Sequence, residues 1–172
     1  DEAMKVTSYG SLLKVCKDLL HEKIPIIDML TIIEAIADIA EFTKAPEVLL
    51  EHVRAKLYRL ITQKFKDNDG ILHIITIKPE LEQQFIGKLQ EHHGVSQLMI
   101  SIAEINNLVT KTKTLLDEIE AKGFSKITMV VDPVLRKRIS EIYEKFGLQV
   151  SVLSHAELDS RANFAIEGTL EF

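Results

Sequence analysis

Two carboxylates in an apolar segment are the first residues whose types and spacing could support chemistry. Glu34 and Asp38 lie in EKIPIIDMLTIIEAIADIAEF (residues 22–42). One helical turn separates them, so both could bind the same metal ion. A di-metal site between helices also needs a Glu-x-x-His motif on a facing helix. That motif is absent around His21, His52 and His73, so we expect no metal ion here.

The same segment predicts an amphipathic helix that begins after Asp28 as its N-cap. Its polar side consists of Thr31, Glu34, Asp38 and Glu41. Its apolar side consists of Met29, Ile32, Ile33, Ile36, Ile39 and Ala40. Charged residues recur too often for a membrane span, which needs about 20 mostly apolar residues. We therefore expect the acidic stripe, defined as Glu34, Asp38 and Glu41, to face solvent or a neighbouring domain rather than the core.

No other group of residues has the spacing of a catalytic or metal site. His92 and His93 are adjacent, so on a helix they point in different directions, and a role at a helix terminus suits them better. Ser154, His155 and Asp159 lie too close in sequence to reach the geometry of a catalytic triad. We therefore predict no catalytic residue, no cofactor and no metal site, and a protein that is not an enzyme.

The alternative that the sequence leaves open is a small α/β enzyme or ligand-binding regulatory domain. Domains of that class bind ligands in a cleft at the carboxyl ends of their parallel strands. Here those ends are expected near Pro79, Glu104 and Asp132. A deep cleft there, lined with convergent polar groups, would favour the alternative, and a shallow surface would favour protein binding.

Composition excludes several classes of function. The chain has 172 residues and a net charge of −5, without the basic surface that nucleic-acid binding requires. Its single cysteine, Cys16, cannot form an internal disulfide, which favours a reducing, cytoplasmic setting. The chain begins with Asp1 and has no signal peptide, so we expect a piece of a longer protein.

Residues 1–69 are predicted to form a helical subdomain. A first helix, which Thr7 or Ser8 could cap, carries an apolar face of Tyr9, Leu12, Leu13, Cys16, Leu19 and Leu20. The helix after Asp28 is the second. A third begins with Pro46 and Glu47 in its first turn and buries Leu49, Leu50, Val53, Leu57, Leu60 and Ile61. KDNDG (Lys66–Gly70) ends it and marks the predicted domain boundary.

Residues 70–172 are predicted to form an α/β subdomain of about three strand–helix units and a closing strand, giving the chain an α+β or α/β fold. The three units are Ile71–Leu89, Leu98–Ile119 and Lys126–Gly147. Pro79 and Pro133 are expected in the first turns of their helices, the latter after Asp132 as N-cap. In the second unit, one continuous helix fits the apolar spacing as well as a strand followed by a helix does. Gln149–His155 forms the closing strand, and Phe164–Phe172 is an extended edge segment.

Arginines on the predicted helices are candidates for binding a protein partner. Arg54 and Arg59 lie on the third helix, and Arg136, Lys137 and Arg138 lie on the last one. The simpler interpretation is a solvated surface on which the aliphatic stems pack over apolar neighbours.

Several segments, in order along the chain, resemble motifs of the FlhA/LcrD family, the export-gate component of flagellar and virulence type III secretion. LLHEKIPIIDMLTIIEAIAD (Leu19–Asp38) is similar to its Leu-Leu-x-Glu motif and the Thr-Ile-Leu-Glu segment that follows. The matching residues are Leu19, Leu20, Glu22, Ile24, Pro25, Ile26, Asp28, Thr31, Ile32, Glu34, Ala37 and Asp38. Ile27 departs from the family, which commonly has arginine at this position.

Four later segments extend the resemblance over nearly the whole chain. VRAKLYRLI (Val53–Ile61) matches with Val53, Arg54, Leu57, Arg59 and Ile61. IKPELEQ (Ile77–Gln83) matches except for Lys78, VDPVLRKRI (Val131–Ile139) matches at Arg136, and VLSHAEL (Val152–Leu158) matches at Glu157 but has His155 for tyrosine and Leu158 for isoleucine. The helix after Asp28 and the last motif resemble the flagellar branch of the family more than the virulence branch.

The resemblance implies a non-enzymatic docking and ring-forming module. Family members have a membrane half and a cytoplasmic half, and the cytoplasmic halves assemble as a ring, thought to be nonameric. The expected partners are flagellar export chaperones with their substrates, other export components and further copies of the chain, without nucleic acid or membrane contact by this part. The expected location is the cytoplasmic face of the bacterial inner membrane, with motion about Lys66–Gly70. The main chaperone-docking pocket of the family lies mostly upstream of the segments matched here.

The candidate interaction residues are chosen by two criteria. Surface position on a helix or a match to a family motif selects Glu34, Asp38, Glu41, Arg54, Arg59, Arg136 and Glu157.

Overall fold

The computed structural model describes residues 9–93 and 95–172. The chain divides into two compact units, and the boundary along the sequence lies between Ile61 and Thr62. The first unit is helical. Helix α1 spans Tyr9–His21, α2 spans Met29–Ile39, α3 spans Pro46–Lys56, and α4, Tyr58–Phe65, continues into the second unit. Helix α3 packs against both α1 and α2. The buried core of this unit includes Val15, Cys16, Leu19, Ile24, Ile32, Ala35, Ile36, Leu49, Leu50 and Val53.

Local sequence features explain where α2 and α3 begin. Asp28 is the N-cap of α2, as predicted: its Oδ1 accepts a hydrogen bond from the Thr31 amide (3.2 Å) and its Oδ2 accepts one from the Thr31 hydroxyl (2.7 Å). Pro46 occupies the first turn of α3, where its missing N–H costs nothing. The predicted cap of α1 at Thr7 or Ser8 lies outside the described residues.

The buried face of α1 differs from the prediction. Val15, Cys16 and Leu19 are buried, whereas Tyr9, Leu13 and Leu20 are exposed, Tyr9 by 78%. At 100° per residue, the exposed three lie roughly a quarter turn from the centre of the buried face. Apolar spacing alone indicates that a stripe exists but leaves its rotation about the helix axis undetermined.

The division between the units falls within α4, whereas the predicted domain boundary lies after Asp69. Polar contacts within the second unit account for this position. The Thr62 hydroxyl donates to the Glu157 carbonyl (2.8 Å) and accepts from the Asp159 amide (3.0 Å). Lys126 Nζ donates to the carbonyl of Lys66 (2.8 Å). These bonds tie the end of α4 and the residues after it to the α/β unit.

The second unit is built on a four-stranded parallel sheet with the strand order β5-β4-β1-β6. The strands are β1 (Ile71–Ile77), β4 (Ile127–Val131), β5 (Ser151–Ser154) and β6 (Asn163–Leu170). All residues of β4 are buried, which is typical of an inner parallel strand. Strand β6 pairs with β1 at the edge of the sheet, which confirms the predicted edge segment.

Three helices pack on one face of the sheet: α5 (Pro79–Ile86), α6 (Ile102–Ala121) and α7 (Pro133–Lys145). Pro79 and Pro133 lie in the first turns of α5 and α7, and Asp132 caps α7 by accepting from the Val134 amide (3.0 Å), all as predicted. None of the helices in the described part of the chain has the length and apolar composition that crossing a bilayer requires. The core on this face includes Ile75, Ile77, Leu81, Phe85, Leu108, Leu116, Ile119, Met129, Leu135, Ile139 and Tyr143.

The prediction for the second strand–helix unit is wrong about the sheet to which its strand belongs. The strand before α6 is β3 (Val95–Leu98), which pairs antiparallel with β2 (Leu89–His92) and stays outside the main sheet. Alternate residues of β3 are exposed, so it could not replace a strand buried on both faces. The predicted helix-terminus role of the two histidines is also wrong, because His92 lies in β2 and His93 lies in the turn after it with φ 53°.

The Asp28 cap predicts a measurable contribution to stability. Replacing Asp28 with alanine removes both acceptors for Thr31, and we expect the free energy of unfolding to fall by about 1 kcal/mol. Asp28→Asn is the matched control and should retain most of the stability, because asparagine caps helices about as well. Urea unfolding followed by circular dichroism measures both. Equal losses in the two variants would contradict the capping role.

Candidate functional site

The acidic stripe lies on the solvent-exposed side of the helical unit. Glu34 and Asp38 are exposed on α2, and Glu41 is exposed in the turn that follows. Asp38 Oδ2 lies 3.4 Å from Lys56 Nζ and 3.9 Å from His52 Nε2, both on α3. The pair of Asp38 with Lys56 is exposed, so it contributes little to stability and leaves the stripe open to solvent. The prediction that it faces away from the core is confirmed, and its role in binding stays a prediction.

Apolar side chains are exposed in the same segment as the stripe. Ile27 is 81% exposed, Leu30 is 68% exposed and Phe42 is 85% exposed. Large apolar groups among charges are typical of protein-binding surfaces. The sequence analysis did not assign these residues to a surface. The available signal was Ile27, an isoleucine at the position where the resembling family commonly has arginine.

Arg54 lies in the core rather than on the surface. Its side chain is 1% exposed, and its guanidinium Nη1 donates to Glu22 Oε2 at 2.7 Å. Glu22 follows the end of α1, so this ion pair connects the chain after α1 to α3. An arginine buried in this way is not accessible to a partner, and it stabilises the helical unit instead.

Arg136 and Glu157 are likewise interior residues of the α/β unit. Both are fully buried, and Arg136 Nε lies 3.9 Å from Glu157 Oε1. The Glu157 carboxylate also accepts a hydrogen bond from the Ser154 amide (2.8 Å), which closes the turn after β5. Both residues match family motifs, and both are interior residues rather than parts of an exposed surface.

Arg59 is exposed, in agreement with the prediction. It lies near the start of α4, where its Nε donates to the Tyr58 hydroxyl (2.9 Å) and its guanidinium lies 5.4 Å from the centre of the Tyr58 ring. Of the candidate interaction residues, Glu34, Asp38, Glu41 and Arg59 are therefore accessible, whereas Arg54, Arg136 and Glu157 are not.

A titratable cluster that the sequence analysis missed lies at the start of β1. The His73 ring is 5% exposed and contacts two carboxylates: Nε2 lies 2.8 Å from Asp67 Oδ2, and Nδ1 lies 2.7 Å from Glu167 Oε1. Phe124 stacks on the ring with a centroid distance of 4.3 Å. The sequence feature that could have indicated this cluster is the histidine within the mostly apolar strand β1.

The environment shifts the pKa values within this cluster. Burial alone would lower the pKa of His73, but hydrogen bonds and charges from Glu167 and Asp67 outweigh it and raise that pKa above 6.5. Hydrogen bonds from the Ile71 amide and from His73 lower the pKa of Asp67 below 3.8. Both shifts favour the charged forms of His73 and Asp67.

A pocket of about 310 Å³ opens beside this cluster. It lies at the amino ends of β1 and β4, which is the opposite end of the sheet from the cleft that a ligand-binding α/β domain is expected to use. Its lining consists of Asp67, Asn68, Asp69, His73, Gly123, Phe124, Ser125 and Lys126.

Polar groups at the carboxyl ends of the strands are engaged in helix caps. Asp132 caps α7, and its amide donates to Glu82 Oε1 (2.7 Å). Glu104 forms a capping box with Ser101, and an ion pair with Lys88 together with the Ser101 hydrogen bonds lowers the pKa of Glu104 to about 2. Among the residues that the structure describes, no group of three or more histidine, cysteine, aspartate or glutamate side chains could hold a metal ion.

Arg54 and Arg59 offer a matched comparison of a buried and an exposed arginine. Arg54→Ala leaves Glu22 without its guanidinium partner, and we expect the free energy of unfolding to fall by about 3–5 kcal/mol. Arg59→Ala, the control, should change it by less than about 0.5 kcal/mol. Thermal and urea unfolding measure both values. Similar small effects would mean that the Arg54 ion pair is not structural.

The chain is similar to known flagellar proteins over nearly its whole length. The flagellar biosynthesis protein FlhA of Helicobacter pylori is 39% identical over 171 residues, covering 99% of this chain and 23% of the relative. FlhA of Escherichia coli is 30% identical over 165 residues, covering 96% of this chain and 23% of the relative. The chain therefore spans less than a third of the length of these relatives.

Solved structures share the fold. Nonameric EPEC SctV-C superposes with a TM-score of 0.87 at 20% identity, over 98% of this chain and 50% of that one. The C-terminal domain of InvA gives 0.87 at 24% identity, over 98% of this chain and 51% of that one. At these identities the likeness establishes the fold alone. The model of the FHIPEP family matches residues 1–163. Nearly the whole chain is thus accounted for, the resemblance read from its motifs is confirmed, and the chain belongs to the FHIPEP family.

Proposed function

We propose that this chain is a non-enzymatic docking and ring-forming module of the export gate of the flagellar type III protein export apparatus. The observation that carries the proposal is the match to flagellar biosynthesis proteins over 99% of the chain. The proposed location is the cytoplasmic face of the bacterial inner membrane. Because the chain covers only 23% of those relatives, other parts of the protein would supply the membrane anchor.

Binding would be the whole mechanism. The proposed partners are further copies of the chain, soluble export components, and export chaperones with their substrates. Support for self-association comes from the nonameric assemblies among the structures with the same fold, EPEC SctV-C and the EscV cytosolic domain. Support for a second class of partner comes from the complex of Chlamydia pneumoniae CdsV with CdsO.

The exposed side chains of the helical unit suit this role. The acidic stripe, together with Ile27, Leu30 and Phe42, presents charge and apolar area in one segment. Charges on such a surface select the partner and its orientation, and apolar contacts supply most of the affinity. The polar groups near Asp132 and Glu104 are engaged in caps, which gives little support to the alternative of an enzyme or ligand-binding regulatory domain.

The contribution of this chain to chaperone docking is tested by comparing two lengths of the protein. We expect flagellar export chaperones loaded with substrate to bind the whole cytoplasmic part of the protein and to bind this chain weakly or not at all. The reason is that the family's main docking pocket lies mostly upstream of the motifs found here. Isothermal titration calorimetry measures both. Equal, tight binding by the two would refute this assignment, and binding by neither would refute the proposed chaperone docking.

Charge reversal tests the acidic stripe. The triple variant Glu34→Lys, Asp38→Lys and Glu41→Lys should weaken ring assembly of the whole cytoplasmic part by about tenfold, because loss of three rim contacts amounts to roughly 1.4 kcal/mol. A matched reversal of exposed acids on α6 is the control and should leave assembly unchanged: Asp117→Lys, Glu118→Lys and Glu120→Lys. Native mass spectrometry over a concentration series measures assembly. Equal effects in both variants would mean that net charge, not the stripe, matters.

A further inference from the structure

The two carboxylates that contact the His73 ring need two N–H donors, and a neutral histidine ring has only one. Both ring nitrogens lie within 2.8 Å of carboxylate oxygens, which only accept hydrogen bonds when ionised. A neutral imidazole has one N–H and one lone pair. One of the two contacts would then set a lone pair against a carboxylate oxygen, which is repulsive. The geometry therefore requires one additional proton in the cluster, and the raised pKa of His73 favours the ring as its place, as an imidazolium between two carboxylates.

The two carboxylates come from different parts of the α/β unit. Asp67 belongs to the turn Lys66–Gly70, which leads into β1. Glu167 belongs to the edge strand β6, at an irregularity in its pairing with β1: Ile74 pairs with Ile166, and Ile75 pairs with Gly168. Glu167 is therefore the extra residue of a β-bulge, a feature that re-aims side chains. His73, between them, holds the turn and the edge strand together.

The two carboxylates differ in the other hydrogen bonds that they accept. Asp67 Oδ1 also accepts hydrogen bonds from the Ile71 and Asp69 amides, each at 2.9 Å. For Glu167, the hydrogen bond to His73 is the one that the structure shows within residues 9–93 and 95–172. When the ring loses a proton, the turn keeps Asp67 in place, so the Glu167 contact is the one that breaks.

Two further charged residues, Lys126 and Asp69, line the pocket beside the ring. From the loop after α6, Phe124 stacks on one face, and Lys126 lines the same pocket while donating to the Lys66 carbonyl. From the turn, Asp69 adds a carboxylate to the pocket lining. The neighbours of His73 on the adjoining strands are Ile127 and Ala165, which do not titrate. Proton loss from the ring is thus the charge change expected near neutral pH.

We propose that His73 is a proton-operated latch: its imidazolium form ties the Lys66–Gly70 turn to edge strand β6, and proton loss releases Glu167 and loosens β6 around its bulge. The process releases one proton to solvent and leaves the ring neutral beside two carboxylates. The cluster then carries a net charge of −2 in place of −1. The latch would regulate how firmly the edge strand is held, and it does not depend on the proposed export function.

The pH range of the latch follows from the signs of the shifts. The pKa of His73 is raised above 6.5 in the folded chain, so the stability it contributes is complete below pH 6.5 and is lost as pH rises through the raised value. The pKa of Asp67 is lowered, so its contribution is present above pH 3.8 and is lost as pH falls through the lowered value. The latch is closed between these limits and opens on the alkaline side.

The test uses NMR on the intact chain. Titration of the His73 ring should give a pKa above 6.5, and hydrogen exchange of the amides of residues 165–169, corrected for intrinsic rates, should speed up by about tenfold over the pH range in which the ring deprotonates. Amides of Ile74 and Met129, in the centre of the sheet, should show no such step. Ring titration at or below 6.5, or exchange in β6 without a step, would overturn the proposal.

Two conservative variants separate a latch from a purely structural contact. Glu167→Gln lets the side-chain amide donate to the neutral ring, so the step in β6 exchange should disappear and the ring pKa should fall. Glu171→Gln is the matched control: this exposed carboxylate, just beyond β6, pairs with Lys78 (2.9 Å), and its loss should leave both readouts unchanged. A step that persists in Glu167→Gln would mean that another group controls β6.

Discussion

A guanidinium or imidazolium group that leaves water needs a carboxylate nearby, because an isolated buried charge costs several kcal/mol. Both units of this protein are organised around that constraint. In the helical unit Arg54 meets Glu22, and in the α/β unit Arg136 lies near Glu157. Each pair joins segments that are distant in sequence, so each specifies one arrangement of those segments over others.

This constraint changes the meaning of the family motifs. Glu22, Arg54, Arg136 and Glu157 are among the residues that carry the resemblance, and three of them are almost completely buried. These parts of the motifs describe the interior of the fold. Binding of partners, in the proposed function, falls instead to the exposed acidic stripe and to the apolar side chains near it. Glu34 and Asp38 belong both to the motifs and to this stripe, so the motifs contain surface residues as well as interior ones.

The α/β unit shows how burial selects the strands of a sheet. Strand β4 is buried throughout and lies inside the parallel sheet, whereas β3 exposes alternate residues and pairs with β2 in a separate hairpin. The place beside β1 is taken by β6, whose bulge directs Glu167 towards His73. His73, the one histidine of a mostly apolar strand, is therefore where the turn, the central strand and the edge strand are connected.

Local signals were sufficient for the start of α2 at Asp28, the proline-led starts of α3, α5 and α7, and the apolar strands β1 and β4. These features depend on residues a few positions apart, so the chain specifies them before it folds. The position of Glu34 and Asp38 on one side of their helix follows from helical periodicity.

Tertiary structure decided what depends on contacts between distant residues. It rotated the buried face of α1 towards Val15, excluded β3 from the sheet, and buried three arginine and glutamate side chains that helical periodicity and motif matching had suggested for the surface. It also brought Glu167 next to His73, although most of the sequence of the α/β unit lies between them. Periodicity shows which residues share a face, but only packing decides which face is covered and which charges meet, since burial and pairing are properties of the whole fold.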